Sequence, residues 1–278
     1  MKLVLLGANG NLGMEIRRIA HHEVVAIGRK EWGEIGLDDF ADASVVIHAA
    51  SDLRSSIREN PSSVLESELM TTAGLLELMR DSRVPRLMYV SSCAVYGDTD
   101  PVEDQKSCMP VTINGQMKLL NENLIAAFCA QHGIRWEAYR VFNLFGGRDH
   151  FSIVNRIMRA AFHGEQLTIH NEGKASRDFV HVEDVAGVLL KLLDNPPDHH
   201  HINIGTGKAT QICELIDVAR SLGLDLPLKC VTNTGAVDHS QANIDRLTGY
   251  IGPFSFKSVS DCLRNAIQSH RQGHFPLI

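Results

Sequence analysis

The chain begins with a short, mostly apolar run, residues 2–6, which ends at a glycine. A run of this length is too short for a helix and predicts a buried β-strand. Gly7, Gly10 and Gly13 follow, and over residues 14–20 apolar side chains recur among charged ones at helical spacing. The pattern predicts a strand, a glycine turn and an amphipathic helix. This arrangement aims free backbone N–H groups and the positive end of a helix dipole at a pyrophosphate, so it predicts dinucleotide binding.

Four more apolar runs in the first half of the chain predict strands, and an apolar face over residues 65–80 predicts a helix. The runs cover residues 23–27, 44–50, 86–90 and 135–139. Strands that alternate with helices typically form a parallel sheet, because a parallel crossover is long enough to hold a helix. We therefore expect an α/β fold with a doubly wound parallel sheet.

Composition narrows the class of protein. The chain has 278 residues, of which 44% are hydrophobic, and a net charge of −6. This length suits one α/β domain with a smaller lobe, and the mild acidity gives no electrostatic reason to expect nucleic acid. No apolar run approaches the roughly 18 residues of a membrane span, and the first residues predict a strand and not a signal peptide. The six cysteines form no C-x-x-C pair, so we expect free thiols and a cytoplasmic protein.

The end of the second strand bears on the choice of cofactor. In dinucleotide sites, an acidic residue about 20 positions after the first glycine bonds the ribose 2′-hydroxyl of NAD. Gly28 stands there in this chain, and Arg29 and Lys30 follow it. Two cations in place of an acid suit a 2′-phosphate, so the sequence favours NADP, with NAD as the alternative. The alternative interpretation of Arg29 and Lys30 is that they are ordinary solvated charges in a loop and do not contact a cofactor.

Residues 91–97 read S-S-C-A-V-Y-G. This run resembles the S-S-x-x-V-Y-G signature of the extended short-chain dehydrogenases/reductases, the NAD-dependent epimerase/dehydratase family that modifies nucleotide sugars. The resemblance implies a Rossmann-type domain with a smaller C-terminal substrate-binding lobe. It also implies that Ser92 hydrogen-bonds the reacting sugar oxygen and that Tyr96 is a structural or substrate-contact residue.

The resemblance extends to the cofactor site. The glycine turn has the family spacing G-x-x-G-x-x-G, and the third strand ends in a segment that resembles the one closing the family's cofactor site. His48, in that strand, stands in an apolar run and is more typical of a core histidine than of a catalyst. The cofactor contacts that the resemblance implies are Gly7, Asn9, Gly10, Asn11, Leu12, Gly13, Arg29, Ala49, Ala50 and Lys118.

The catalytic segment departs from the family pattern. The family carries Y-x-x-x-K on a helix, where residues four apart share a face, so that the Lys lowers the phenol pKa and holds the nicotinamide ribose. In this chain Lys118 and Glu122 fit the K-x-x-x-E tail, but Asn114 stands in the tyrosine position. An amide side chain does not titrate, so Asn114 can orient a hydroxyl but cannot remove its proton. A substitute acid/base is then required, and Cys93, next to Ser92, is the candidate; its alternative interpretation is a small packed thiol.

Two further blocks resemble the family's substrate side, R-x-F-N-x-x-G at residues 140–146 and R-D-F-V-x-V-x-D-V at residues 177–185. The resemblance implies that Asn143 meets substrate phosphates and that Arg177 pairs with a nucleotide or phosphate oxygen. The carboxylates of the second block are interpreted as structural. The histidines at positions 199–201 predict a solvated turn and no metal site, because consecutive side chains point in different directions.

Together these features predict an NAD(P)-dependent enzyme of the epimerase/dehydratase type that acts on a nucleotide sugar. The alternatives are an NADPH-dependent keto-sugar reductase and a catalytically inactive NAD(P)-binding regulatory protein. By resemblance we expect a homodimer formed through two helices of each subunit. We expect the Rossmann domain to cover residues 1–145 and about 178–205, and the substrate-binding lobe to cover residues 146–177 and 206–278.

Overall fold

A computed structural model describes residues 1–51, 61–98, 108–232 and 239–272, and the fold is stated for these residues. The helices are α1 (Asn11–Ile19), α2 (Leu37–Phe40), α3 (Pro61–Ser82), α4 (Ile113–His132), α5 (Ile153–His163), α6 (Val182–Asp194), α7 (Ile212–Ser221), α8 (Asp245–Ile251) and α9 (Val259–Arg271). The strands are β1 (Lys2–Leu6), β2 (Glu23–Ile27), β3 (Val45–His48), β4 (Arg86–Ser92), β5 (Arg135–Val141), β6 (Asn143–Phe145), β7 (Leu167–His170), β8 (Ser176–His181), β9 (His201–Ile204), β10 (Ala209–Gln211), β11 (Leu228–Val231) and β12 (His239–Ser240).

Six parallel strands form the main sheet, in the order β2-β1-β3-β4-β5-β9. Helices α1 and α6 contribute to the core on one face of this sheet, and α3 and α4 to the core on the other. β3 is buried along its whole length because helices cover both faces. The predicted α/β fold with a doubly wound parallel sheet is confirmed.

The sheet has its switch point at β1. The chain passes from β1 to β2 on one side and returns to β3 on the other. The connections after β1 and β3 therefore leave in opposite directions, which opens a crevice at the carboxyl ends of these two strands. The glycine turn that follows β1 lies at this crevice.

A second group of elements is formed by segments that lie before and after β9 in the chain. β8 pairs with β6 and β12 in parallel and with β10 in antiparallel orientation, and β7 pairs with β11. Helices α5, α7 and α9 share a separate core that includes Ile157, Leu215 and Leu263. Of the predicted substrate-binding lobe, residues 233–238 and 273–278 lie outside the described part of the chain.

A fully buried ion pair joins α4 to the middle of the main sheet. Arg140 on β5 donates from Nη2 to Glu122 Oε2 at 2.7 Å and from Nε to Oε1 at 3.2 Å. Ser91 on β4 donates its hydroxyl to the same carboxylate, and Arg140 Nη1 donates to the Tyr96 hydroxyl at 3.1 Å. These bonds fix α4 relative to the ends of β4 and β5.

Removal of the Glu122 charge should strongly destabilise the fold. The substitution Glu122→Gln leaves the guanidinium of Arg140 buried without a counter-charge, which typically costs about 3–5 kcal/mol. The measurement is the free energy of unfolding from urea denaturation. The matched control is Glu165→Gln, which breaks an exposed ion pair with Arg159 and should cost less than about 1 kcal/mol. Equal losses for the two variants would contradict this account of Arg140.

Candidate cofactor and substrate site

The glycine turn packs so tightly that side chains are excluded from two of its positions. Gly7 has a φ of +88°, and a Cβ on it would lie 2.6 Å from the backbone nitrogen of Ala50. A Cβ on Gly13 would lie 2.2 Å from the carbonyl oxygen of Gly7. The first turn of α1 therefore lies directly against the ends of β1 and β3. Gly10 is the N-cap of α1 and supplies no side-chain cap, so the first amides of the helix are available to an anion.

Two residues of the turn use their side chains within the protein. Asn11 Nδ2 donates to the carbonyl of Gly146 at 2.8 Å, and Asn11 Oδ1 accepts from the backbone N–H of Arg148 at 2.7 Å. Leu12 is buried in the core beneath the turn. The expected cofactor contacts of Asn11 and Leu12 would therefore be made by their backbone groups, because the side chains join the turn to the loop after β6 and to the core.

A cavity of about 210 Å³ opens at the crevice. It is bounded by the glycine turn, by the segments that follow β2 and β3, and by one face of α3. Its lining residues are Leu6, Gly7, Asn9, Gly10, Gly28, Arg29, Trp32, His48, Ala49, Ala50, Ser51, Ser67, Glu68 and Thr71. Of the cofactor contacts predicted from the sequence, Gly7, Asn9, Gly10, Arg29, Ala49 and Ala50 therefore face one space.

Two buried polar atoms in this lining have no hydrogen-bond partner among the described residues. His48 shares a hydrogen bond between Nε2 and Thr72 Oγ1 at 3.0 Å, but its Nδ1 and the Ser51 hydroxyl are buried with no hydrogen bond in the described part of the chain. Buried polar groups are normally bonded, so such atoms indicate a polar ligand. Burial lowers the pKa of His48 to about 3, so the ring is neutral. Together with the glycine cradle, these atoms fit a dinucleotide such as NAD(P).

A carboxylate that the sequence analysis missed lies at the end of β2. Glu31 bends back so that its Oε2 accepts a hydrogen bond from the backbone N–H of Gly28 at 2.9 Å. The dinucleotide pattern expects the acid at position 28, so the sequence alone did not point to Glu31, three residues later. Arg29 lines the cavity as predicted, so a cation and an anion both stand at this end.

Ser92 is the last residue of β4, and its hydroxyl caps the short 3₁₀ turn that follows by accepting from Ala94 N at 3.2 Å. The next residue, Cys93, accepts a hydrogen bond on its sulfur from the Ser240 hydroxyl at 3.9 Å. Desolvation raises the pKa of the Cys93 thiol to about 11, so at neutral pH the group is a thiol and not a thiolate. This is the opposite of the activation that a substitute base needs.

Helix α4 places Asn114 and Lys118 beside this segment. A Cβ on Gly115 would lie 2.2 Å from the Ala94 carbonyl oxygen, so the first turn of α4 packs directly on the turn after Ser92. Lys118 is only 5% exposed, and its Nζ donates to the carbonyl of Val90 at 3.3 Å. Asn114 lies one turn earlier and is half-buried.

Lys118 is electrostatically coupled to a second buried acid. Desolvation lowers the pKa of Lys118, and the carboxylates of Glu68 and Glu122 act against this shift. Glu68 is 9% exposed and also lines the cofactor cavity. The sequence analysis did not identify Glu68, because an isolated Glu on a helix gives no local signal of burial.

Of the two roles expected for Tyr96, structural or substrate contact, its surroundings favour the structural one. Tyr96 is only 2% exposed, and its hydroxyl donates to Asn203 Oδ1 at 2.6 Å and accepts from Arg140. The ring is part of a small core with Phe142 and Ala242. Tyr96 therefore has a structural role, because its polar atom is already engaged within the protein.

The other two expected substrate contacts lie on neighbouring strands. Asn143 on β6 donates to the carbonyl of Asp178 at 3.0 Å, and Arg177 on β8 donates to the carbonyl of Ser176 at 2.8 Å. Ser240 of β12 pairs in register with Arg177 and donates to the sulfur of Cys93, so Arg177 stands near the segment that follows Ser92. Asp178 binds the backbone N–H groups of Thr206, Gly207 and Ala242, as a structural carboxylate does.

None of the described helices is both long enough and apolar enough to cross a membrane.

Comparison with known proteins identifies a family for the chain. Residues 6–205 match the NAD dependent epimerase/dehydratase family. The chain is 31% identical over 185 residues to the UDP-glucuronate 4-epimerase of Thermodesulfobacterium geofontis. This alignment covers 63% of this chain and 56% of that protein. It is 28% identical over 187 residues to UDP-glucuronic acid decarboxylase 5 of Arabidopsis thaliana, covering 63% of this chain and 54% of that one.

The chain thus spans just over half of the length of these curated relatives. Among solved structures, MoeE5 in complex with UDP-glucuronic acid and NAD superposes with a TM-score of 0.87 and is 25% identical, over 98% of this chain and 100% of that chain. The fold, the glycine cradle and the family match agree with one another. The chain belongs to the NAD dependent epimerase/dehydratase family.

Proposed function

We propose that the chain is an enzyme that holds NAD and modifies the sugar of a nucleotide-linked sugar. The observation that carries the proposal is that the cavity lies at the end of β3, and that the neighbouring strand β4 ends at Ser92 and accepts a hydrogen bond from Lys118 at the Val90 carbonyl. His48 of the cavity pairs in register with Tyr89 of β4, three residues before Ser92. A ligand that extends from the cavity along these strand ends would reach both side chains. The UDP-glucuronic acid and NAD in MoeE5 support UDP-sugars as the substrate class.

Each residue of the site would have a distinct role in binding or orienting the substrate. NAD supplies the hydride acceptor and donor when it is bound. Ser92 would hydrogen-bond the reacting sugar hydroxyl, and Asn114 would orient it from the first turn of α4. Arg177 would pair with a phosphate oxygen of the substrate through its planar fork of donors. One N–H of the Asn143 amide already bonds the Asp178 carbonyl, and the other N–H would donate a hydrogen bond to the same phosphates.

The proton of the reacting hydroxyl needs an acceptor other than Asn114. We assign this role to Lys118, because desolvation lowers its pKa and so brings the neutral, proton-accepting amine within reach at a lower pH than for an exposed lysine. Glu68 would then relay the proton toward the cavity, because it borders the cavity and its charge acts on Lys118. Cys93 is less suited, because its raised pKa keeps the thiol protonated.

The alternative function is a non-catalytic protein that binds the dinucleotide. The presence of Asn114 in the tyrosine position favours it, because the amide cannot exchange a proton. The retained Ser92 and Arg177 favour an enzyme, since a protein that only senses cofactor needs no substrate groups. An NADPH-dependent keto-sugar reductase is a third candidate, in which Lys118 would act as proton donor to a ketone.

Assays with UDP-glucose, UDP-glucuronic acid and UDP-N-acetylglucosamine should reveal turnover of at least one, detected by NMR of the sugar products. Ser92→Ala should lower kcat about 100-fold or more, as is typical when a group that acts on the transferred proton is lost. Absence of turnover by protein that binds the cofactor would instead support the non-catalytic function.

The pH dependence of kcat tests the roles of Lys118 and Glu68. Activity should rise with pH as Lys118 loses its proton. Because the Glu68 charge raises the pKa of Lys118, Glu68→Gln should move this rise to lower pH while it lowers the maximal kcat. The control is Glu66→Gln, an exposed carboxylate on the same helix, which should leave the profile unchanged. A Glu68→Gln profile that matches the control would refute the relay.

For the cofactor, the proposal departs from the sequence-based preference for NADP and selects NAD. Glu31 places a carboxylate at the end of β2, where it suits a ribose diol and repels a 2′-phosphate. The NAD bound in MoeE5 supports the same choice. Arg29 remains the argument for NADP.

Calorimetric titration should therefore give a lower Kd for NAD than for NADP. Glu31→Gln should weaken NAD binding by about 10-fold or more, since a hydrogen bond to a charged group is worth roughly 1.5–3 kcal/mol. The same substitution should improve NADP binding, because it removes a repelling charge. Glu34→Gln, a nearby control, should change neither Kd. Tighter binding of NADP by the unaltered protein would restore the original preference.

We also propose a homodimer through α3 and α4, which pack against each other. Among the described side chains of these helices, four large apolar ones are exposed: Leu65, Met70, Ile113 and Leu120. An apolar surface of this kind on two adjacent helices is typical of a protein–protein interface.

Light scattering should give twice the 30.7 kDa mass of one chain. The double substitution Met70→Glu and Leu120→Glu should produce monomers, because it buries like charges at the proposed interface. Phe151→Glu alters an equally exposed apolar residue outside these helices and should leave the dimer intact. A monomeric parent protein, or a dimer that survives the double substitution, would refute this interface.

A further inference from the structure

Two adjacent histidines meet one carboxylate on the side of the sheet covered by α1 and α6. His22 Nε2 lies 3.1 Å from Asp194 Oδ1, and His21 Nε2 lies 3.7 Å from Asp194 Oδ2. The three ligand atoms all lie within 4.8 Å of one another. The histidines stand in the short loop between α1 and β2, and Asp194 is the last residue of α6. The loop turns both rings toward the same point, with centroids 4.2 Å apart.

We propose that His21, His22 and Asp194 form a binding site for a divalent transition-metal ion, with zinc as the best match. Imidazole nitrogen and carboxylate oxygen are common ligands of zinc. Zinc binds both at about 2.0–2.2 Å, so its ligands in a tetrahedron lie roughly 3.3–3.5 Å apart. The separations of 3.1 and 3.7 Å between the imidazole nitrogens and the Asp194 oxygens bracket this range.

The exposed fractions of the three side chains indicate which of them is held in place and which can move to bind the ion. The His22 side chain is only 11% exposed, so the surrounding protein holds it in place. His21 is 67% exposed and Asp194 is 45% exposed, and both can rotate by the small amount that binding requires. A solvent molecule would complete the coordination on the exposed side, as in other sites with three protein ligands.

The other run of histidines in the chain lacks this convergence. His199 Nδ1 lies 2.6 Å from the Tyr250 hydroxyl, while His200 Nδ1 bonds the carbonyl of Trp136 at 2.8 Å. These rings are engaged by separate partners, so this run does not gather ligand atoms around one point. It supplies the matched control for the first cluster.

An ion at the proposed site would join the ends of α1 and α6, which are far apart in the sequence. α1 begins at the glycine turn and ends just before His21, and α6 packs beside it on the same face of the main sheet. Metal binding would therefore stabilise the layer behind the cofactor crevice. The proposal concerns this surface alone and does not rest on the proposed catalytic function.

Calorimetric titration of the full chain with Zn²⁺, after treatment with a chelator, should show one equivalent bound. Loss of an outer-shell partner already weakens metal binding about 10- to 100-fold, so loss of a ligand in Asp194→Asn or His22→Gln should weaken it at least as much. His199→Gln should bind like the unaltered protein. Added Zn²⁺ should raise the Tm of the unaltered protein but not that of Asp194→Asn.

Titration with Co²⁺ distinguishes this site from the six cysteines of the chain. Binding by imidazole and carboxylate should give visible bands without the intense near-ultraviolet absorption of a cobalt–thiolate bond. A thiolate band, equal affinity in Asp194→Asn, or no binding by the unaltered protein would overturn the proposal. Thermal melting without metal, compared among the variants, shows whether each has kept the fold.

Discussion

The buried ion pair between Arg140 and Glu122 is the interaction on which the candidate site depends. Two charges withdrawn from water are tolerated only if their remaining donors and acceptors are also bonded. Ser91 and Tyr96 supply those bonds, so the pair fixes the end of β4 as well as α4 and β5. Lys118 lies one helical turn before Glu122, and Ser92 follows Ser91. The ion pair therefore sets the separation between the two side chains that the proposed chemistry brings together.

Side-chain bonds to the backbone hold the two groups of elements around the crevice. Asn11 ties the glycine turn to the loop that follows β6, and Asp178 binds the backbone nitrogens of Thr206, Gly207 and Ala242. In both cases a short polar side chain bonds backbone atoms that are distant in the chain. The crevice is thus shaped by groups that are themselves unavailable to a ligand, which leaves backbone N–H groups and the cavity lining to bind it.

Desolvation determines what the site can do with a proton. It keeps His48 neutral, raises the pKa of the Cys93 thiol and lowers that of Lys118. The amide of Asn114 beside this segment does not titrate, so any proton transfer here depends on the titratable groups. Among the described residues named for this site, Lys118 and Glu68 are buried, and the Glu68 charge acts against the lowering of the Lys118 pKa, which makes their interaction the central question for activity.

The sequence by itself determined the main sheet, the glycine turn and the family, because each depends on neighbours in the chain: apolar periodicity, glycines at positions 7, 10 and 13, and the run at 91–97. The tertiary structure decided the rest. Tyr96 proved to be a core residue, Glu68 lines the cavity, and Glu31 bonds the backbone of Gly28 beside it, since these positions depend on what packs against each residue. The approach of His21 and His22 to Asp194 was equally hidden, because only folding brings the ends of α1 and α6 together.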